Sequence, residues 1–332
     1  MPANVLVTGG AGYIGSHAVL ALLDAGHSVT VIDDLSTGFR WAVPAGAVFY
    51  QGDVANAALI DSILVERGIV AVMHFAGSII VPESVTDPLK YFRNNTCASR
   101  SLLESVVRNR VGHFIFSSTA AVYGAPESVP VDEATPCQPI NPYGASKLMT
   151  EVMLADVAAA HPLNYAALRY FNVAGADPQA RTGQSTAGAT HLIKIAVEAA
   201  LGKRASVAVY GNDYATPDGT GVRDYIHVSD LAAAHVAALD RLIADPQGSL
   251  TLNCGYGRGF SVLEVLDSVD RVAGVKLDRV IASRRAGDSD ALVATGEAIL
   301  RTLDWVPRYA DLDTIVAHAL AWERGLAERS NR

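Results

Sequence analysis

Short β-branched and aromatic runs alternate with longer amphipathic stretches through the first half of the chain. The runs are "NVLVTG", "SVTVID", "AVFYQG", "VAVMHF", "HFIFSS" and "YAALRYF", and the stretches cover 13–25, 55–67, 88–108 and 141–160. A run that is apolar on both faces suits a parallel sheet with helices on either side. The alternation therefore predicts repeated βαβ units and an α/β fold: a Rossmann-type, doubly wound parallel sheet. After Asn172 the rhythm breaks. A stretch rich in Gly, Thr and Asp runs to about 190, and "GNDYATPDGTGVRDY" interrupts the pattern again. Irregular stretches that long usually carry function. A helix over 229–244, a strand in "SLTLNCG" and a tail with one strand around 275–283 complete the expectation. The Rossmann domain is expected to comprise 1–172 plus 225–252. A smaller C-terminal α/β domain for the substrate is expected from 173–224 and 253–332.

Composition narrows what such a fold binds. With 332 residues, 50% of them hydrophobic, the chain can bury one large core or two connected ones. A net charge of −8 argues against a surface built for nucleic acid or an anionic membrane, so neither partner is expected. No stretch reaches the roughly 18 uninterrupted apolar residues of a membrane span. The opening "MPANVLVTGG" lacks the pattern of a secretory signal, and the expected location is the cytoplasm. Cys97, Cys137 and Cys254 are odd in number and far apart, and the nine histidines form no HExxH pair. Neither a disulfide framework nor a metal site is expected.

The first chemical motif is "VTGGAGYIGSH", where a strand gives way to a helix. Gly10, Gly12 and Gly15 fit GxGxxG spacing, and Gly9, Gly12 and Gly15 fit GxxGxxG equally. Glycine lets such a turn tighten and a pyrophosphate approach the backbone, while free N–H groups at the helix start face the anion. Asp33 ends the second strand at the separation expected of an acid that binds an adenosine ribose. A carboxylate there repels a 2′-phosphate, which favours NAD over NADP. "GDV" at 52–54 and "FAG" at 75–77 end the next two strands, where an adenine and a second ribose would lie. Tyr143 and Lys147 are spaced i, i+4 and share a helix face. A nearby ammonium and a positive nicotinamide would lower the phenol pKa enough for proton transfer. Either Thr119 or Ser118, ending the fifth strand, could bond the same substrate oxygen.

Together with "HFAG", "ESV", "FSSTAAVYG", "PYGASKL", "LRYFNVAGA", "YGNDYATPDGTGVRDYIHVSDLA" and "RRAGD", these motifs run in order along nearly the whole chain. The sequence resembles the extended short-chain dehydrogenases/reductases, and among them the UDP-glucose 4-epimerases. The resemblance implies an NAD-dependent isomerase in which Tyr143 removes the C4 hydroxyl proton, the 4-keto sugar turns over, and hydride returns to its opposite face. It places Thr119, Tyr143 and Lys147 in the catalytic set. Its cofactor contacts are Gly9, Gly12, Tyr13, Ile14, Gly15, Asp33, Asp53, Val54, Phe75, Ala76, Gly77, Asn94, Lys147 and Tyr170. Besides Thr119 and Tyr143, its UDP-sugar contacts are Asn172, His191, Leu192, Val207, Ala208, Tyr210, Arg223, Tyr225, Arg285, Asp288 and Leu292. Arg223 and Arg285 would clamp the pyrophosphate, since planar guanidinium donors meet phosphate oxygens in a fork.

Three positions depart from common members. Thr119 stands for a serine, Asp34 for an asparagine, and Ile79 for a lysine beside the cofactor. Leu292 takes the place of a bulky tyrosine that excludes N-acetylated sugars, which extends the expected substrates to the UDP-N-acetylhexosamine pair. Ala120 and Ala121 replace the Asp-Glu pair of related dehydratases. Another nucleotide-sugar epimerase or decarboxylase, and a nonenzymatic NAD-binding sensor, are the alternatives. Helices 88–108 and 141–160 carry surplus apolar residues, including Leu102, Leu103, Leu148 and Met149. Members of the family pair these helices across a twofold axis, so a homodimer is expected.

Overall fold

The computed structural model describes residues 2–186, 188–245, 248–285 and 288–329, with side chains described through 326. Strand β1 (Asn4–Thr8) divides its side chains between two cores. Val5 and Val7 join one, Leu6 joins the other, and all three are fully buried. Successive strand residues point to opposite faces, so both must be apolar when helices cover both sides. β2 (Ser28–Asp33), β3 (Val48–Gln51), β4 (Ala71–His74), β5 (His113–Thr119) and β6 (Asn164–Tyr170) repeat the arrangement. β7 (Asn172–Ala174), β8 (Val207–Tyr210) and β9 (Val222–His227) lie elsewhere, and β10 (Leu250–Cys254) returns to the edge beside β6. The result is the expected doubly wound parallel sheet, in the order β10-β6-β5-β4-β1-β2-β3. The order reverses between β1 and β4, which opens a crevice at the strands' carboxyl ends.

Helices α1 (Tyr13–Asp24), α2 (Ala57–Glu66), α4 (Pro88–Tyr91), α5 (Ala98–Arg108) and α6 (Pro142–Ala160) follow the amphipathic stretches, while the short α3 (Val81–Thr86) lies in none of them. Asn56 and Asn141 cap α2 and α6 by accepting from Leu59 N and Gly144 N at 3.2 and 2.9 Å. The stretch 88–108 is not one regular helix, because a π segment, Phe92–Cys97, joins α4 to α5. Its supposed surplus also differs. Leu102 and Leu103 are buried in the core with α2, and Leu148 packs beside Ala120. Met149 is exposed, and so are its neighbours Leu89 and Val152.

Helices α7 (Leu192–Ala200), α8 (Val228–Ala244), α9 (Val262–Ala273), α10 (Glu297–Thr302) and α11 (Leu312–Arg329) complete the chain. α1 and α8 cover one face of the large sheet, α2, α5 and α6 the other. β11 (Gly259–Ser261), β13 (Ala291–Leu292) and β7 pair with β9 in a small mixed sheet, while β12 (Arg279–Ala282) pairs with β8. A third core joins α7, α9 and α11 through Val197, Val209, Leu266 and Ile315. The expected boundary at 224/225 falls inside β9, the pivot of the small sheet. The one at 252/253 falls inside β10, and 330–332 lie outside the described residues.

Leu22 is fully buried where α1 meets the sheet. Leu22→Ala is expected to lower the unfolding free energy by about 2–5 kcal/mol in urea denaturation; a loss below about 1 kcal/mol would show that the α1 contact is not central.

Candidate active site

The glycine loop folds as it does because two of its glycines admit no side chain. A Cβ on Gly9, whose φ is +69°, would stand 2.6 Å from Ala76 N, and one on Gly15 would stand 2.1 Å from the Gly9 carbonyl oxygen. Gly12 is different: an added Cβ would approach only that oxygen, at 3.3 Å. It precedes α1, where neither a capping side chain nor an acidic residue meets the first N–H groups. An uncapped helix start beside open space suits a phosphate. Asp33 ties the loop down, its carboxylate accepting from Ala11 N at 2.9 Å and Leu35 N at 2.8 Å. Burial pushes its pKa up, and these N–H groups counter the rise. Asp34 serves the turn instead, accepting from Ser36 N at 2.9 Å.

The exit of β4 is pinned by a residue the sequence reading missed. Asn95 is buried in the π segment and accepts from Ser78 N at 2.7 Å. Its amide donates to Ser78 O at 3.0 Å and to Ser146 Oγ, on α6, at 2.9 Å. A Cβ on Gly77 would meet Asn95 Oδ1 at 2.8 Å, so the loop lies flat on that amide. The signal was the pair Asn94–Asn95, two amides in succession inside an otherwise amphipathic helix. Asn94 Nδ2 donates to Ser78 Oγ at 3.1 Å. Asp53 accepts from Ala55 N at 2.8 Å, Val54 is buried, and the Phe75 ring packs on His235 at 4.9 Å. Asp33, Asp53 and Phe75 thus stand at the ends of β2, β3 and β4.

Tyr143 lies in the first turn of α6 and is only 7% exposed. Burial raises its pKa, and the Thr119 hydroxyl beside it pulls the other way. Lys147 donates to the Ser117 carbonyl at 3.1 Å and lies 4.9 Å from the centre of the Phe116 ring. Burial lowers its pKa to about 8, against the pull of Glu151. The expected depression of the tyrosine by this ammonium is not among the influences acting on it, since Lys147 is turned to Ser117. The choice between hydroxyls resolves by orientation. Ser118 Oγ donates to the Glu151 carboxylate, leaving Thr119 as the hydroxyl that meets Tyr143. Tyr170 accepts from Ser117 Oγ at 3.1 Å.

The small sheet brings up a second group of residues. Arg223 donates to the carbonyls of Val222 and Ser289 at 2.9 and 2.8 Å, while the Arg285 guanidinium lies 3.7 Å over the Tyr210 ring. A narrow cleft is lined by Tyr13, Asn172, His191, Leu192 and Tyr225. Tyr13 OH crosses to donate to Gly175 O at 2.7 Å. His191 precedes α7 without capping it. Along β8 the side chains alternate: Val207 is buried in the third core, whereas Ala208 is half-buried and Tyr210 exposed. Only the backbone of Val207 is left to meet a ligand. Leu292 pairs with Arg223 across β13 and β9 and packs on the small apolar cluster that includes Ala120, Val122 and Val131. Asp288 is exposed; its neighbours Ala286 and Gly287 lie outside the described residues. Among the described residues no His, Cys, Asp or Glu cluster could hold a metal ion, and no helix is long and apolar enough to cross a membrane.

Residues 5–255 match the model of the NAD dependent epimerase/dehydratase family. The chain is 57% identical over 325 residues to the UDP-glucose 4-epimerase of Azospirillum brasilense, covering 98% of this chain and 93% of that protein. It superposes with a TM-score of 0.92 on the UDP-glucose 4-epimerase of Bifidobacterium longum in complex with NAD⁺ and UDP, at 39% identity, covering 97% and 98% of the two chains. The UDP-Glc/GlcNAc 4-epimerase of Campylobacter jejuni superposes with a TM-score of 0.85 at 43% identity, covering 97% of this chain and 99% of its own. With its glycine loop, its Tyr143–Lys147 helix and these similarities taken together, the chain belongs to the NAD dependent epimerase/dehydratase family.

Proposed function

We propose that the crevice and the small sheet together interconvert UDP-glucose and UDP-galactose at C4, with NAD as the bound cofactor. The observation that carries the reading is the buried Tyr143 phenol, beside the Thr119 hydroxyl at the mouth of a dinucleotide crevice. The residues fit NAD: the uncapped start of α1 for its pyrophosphate, Asp33 for the adenosine ribose, and Lys147 and Tyr170 at the other end. NAD, when bound, supplies the hydride acceptor and donor for the sugar carbon. Tyr143 takes the C4 hydroxyl proton and later returns it, while Thr119 orients the same oxygen. Lys147, fixed on the Ser117 carbonyl, holds positive charge near the phenol.

The 4-keto sugar must turn without leaving, so binding energy has to come from the distant nucleotide. Arg285 stacks its face on Tyr210, which leaves its edge donors for a diphosphate, and Arg223 adds charge while bracing the 289–290 turn. Asn172, Tyr225 and the start of α7 line a cleft of their own. The segments 173–224 and 253–332 supply most of the nucleotide-sugar contacts, with Asn172 and Tyr225 at their borders. Leu292, beside the catalytic turn, leaves room where a tyrosine would stand, which extends the substrates to the N-acetylated pair. A cytoplasmic homodimer completes the reading. The exposed Leu89, Met149 and Val152 support pairing through α4 and α6.

Conversion of UDP-galactose to UDP-glucose without added reductant tests the reaction. Tyr143→Phe is expected to lower kcat by about 10²- to 10⁴-fold with NAD still bound, and full activity in that variant would remove Tyr143 from the mechanism. Because burial raises the phenol above the ordinary tyrosine range, its proton-accepting form grows scarcer as pH falls, and the wild-type rate is expected to climb from pH 6 through neutrality, where a flat profile would contradict this role. Leu292→Tyr is expected to reduce the rate on UDP-N-acetylgalactosamine relative to UDP-galactose by about 10-fold, as a contact worth about 1–3 kcal/mol would. An unchanged ratio would show that Leu292 is no gate. Light scattering is expected to give twice the chain mass; a monomer at micromolar concentration would contradict the dimer.

A further inference from the structure

Beneath the catalytic turn lies a buried ion pair that the chemistry above does not use. Glu151 follows Lys147 by four residues and Tyr143 by eight, so the three run along one face of α6. Its carboxylate receives Arg169 Nε at 3.1 Å on each oxygen and a terminal Arg169 nitrogen at 2.6 Å, besides the hydroxyl of Ser118. Arg169 also donates to Tyr123 OH at 3.0 Å, which in turn donates to Asn253 Oδ1 at 2.7 Å. Every member is buried. The chain of bonds links α6 to β5, to β6, to the turn just after Thr119, and to β10.

We propose that Glu151, held by Arg169, is a positioning residue for the C4 epimerisation: it fixes the face of α6 that carries Tyr143 and Lys147 against the end of β5 and provides the counter-charge to the Lys147 ammonium. This rests on the reaction assigned above. The geometry is specific for that purpose. Ser118, which Glu151 grips, stands between Ser117, whose carbonyl takes Lys147, and Thr119, which meets Tyr143. A slip of α6 along the strand would therefore break both catalytic contacts together. A carboxylate whose lone pairs are all engaged, with a forked guanidinium, resists that slip better than apolar packing does.

The surroundings make the charge effect readable. Around this group stand His74 of β4, Tyr91 of α4, Tyr123, Cys137, Tyr143 and Tyr170. Burial keeps His74 neutral, its pKa lowered to about 3, and raises those of Cys137 and of the four tyrosines. Lys147, near 8, is thus the neighbour whose charge changes on the alkaline side of neutrality, and Glu151 opposes its loss of a proton. Removing the carboxylate lets Lys147 deprotonate at lower pH.

The test compares epimerisation of UDP-galactose from pH 6 to 10 in the NAD-loaded wild type, Glu151→Gln, and the double variant Glu151→Gln with Arg169→Met. The double variant is included because an unpaired buried guanidinium can unfold a protein that tolerates loss of both charges. In each folded variant kcat is expected to fall about 10- to 100-fold with KM little changed, as for a small misplacement of reacting groups. The alkaline limb is expected to move down by about one pH unit in Glu151→Gln and by less in the double variant, which also loses the Arg169 charge. Wild-type pH dependence in the variants would overturn the proposal whatever their kcat, as would a change confined to KM. Failure of both variants to fold would make the pair structural and overturn it too. An inactive wild type would instead overturn the assigned reaction, which keeps the two failures apart.

Discussion

At the exit of β1 the backbone passes so close to itself that no side chain fits: the Gly9 carbonyl oxygen lies 2.1 Å from where a Cβ of Gly15 would be. The rest of the site depends on this approach. It draws α1 tight against the strand, leaves the first N–H groups of the helix free of side-chain caps, and sets the loop beside Ala76 at the end of β4. Asp33 and Asn95 then hold the two banks of the crevice, one by accepting from Ala11, the other by gripping Ser78. Neither side chain could do so if the loop were wider by one methyl group.

Buried charge is the second constraint. Lys147, Glu151, Arg169 and Asp33 lie largely out of water, where an unpaired charge costs several kcal/mol. Each has partners in fixed positions: a carbonyl for Lys147, backbone N–H groups for Asp33, and a fork with a hydroxyl for the Glu151–Arg169 pair. Lys147 and the Glu151–Arg169 pair lie along the face of α6 that carries Tyr143. An isolated buried tyrosine holds its proton firmly, and here the Thr119 hydroxyl acts against that tendency.

The large sheet was legible because its strands and helices repeat with different periods, which the runs from "NVLVTG" to "YAALRYF" display openly. Tyr143 and Lys147 were legible for a local reason, their i, i+4 spacing. What escaped is long-range. β7, β11 and β13 are two or three residues each and exist only because β9 offers them an edge. The inward turn of Val207 is set by the third core, against which β8 packs while it pairs with β12. Glu151 and Arg169 read as ordinary polar positions of a helix and a strand until the fold brings them together from 18 residues apart. Asn95 needed the π segment, which shifts the helical register and turns its amide toward Ser78.

The central claim is that this crevice oxidises and re-reduces the sugar at C4 while Tyr143 moves only the hydroxyl proton. Converting UDP-galactose that carries deuterium at C4, in ordinary water, and weighing the UDP-glucose by mass spectrometry tests it most directly. The account predicts that the deuterium remains on C4 of the product through complete turnover. Loss of the label to water would mean that C4 is deprotonated as carbon, and would contradict it.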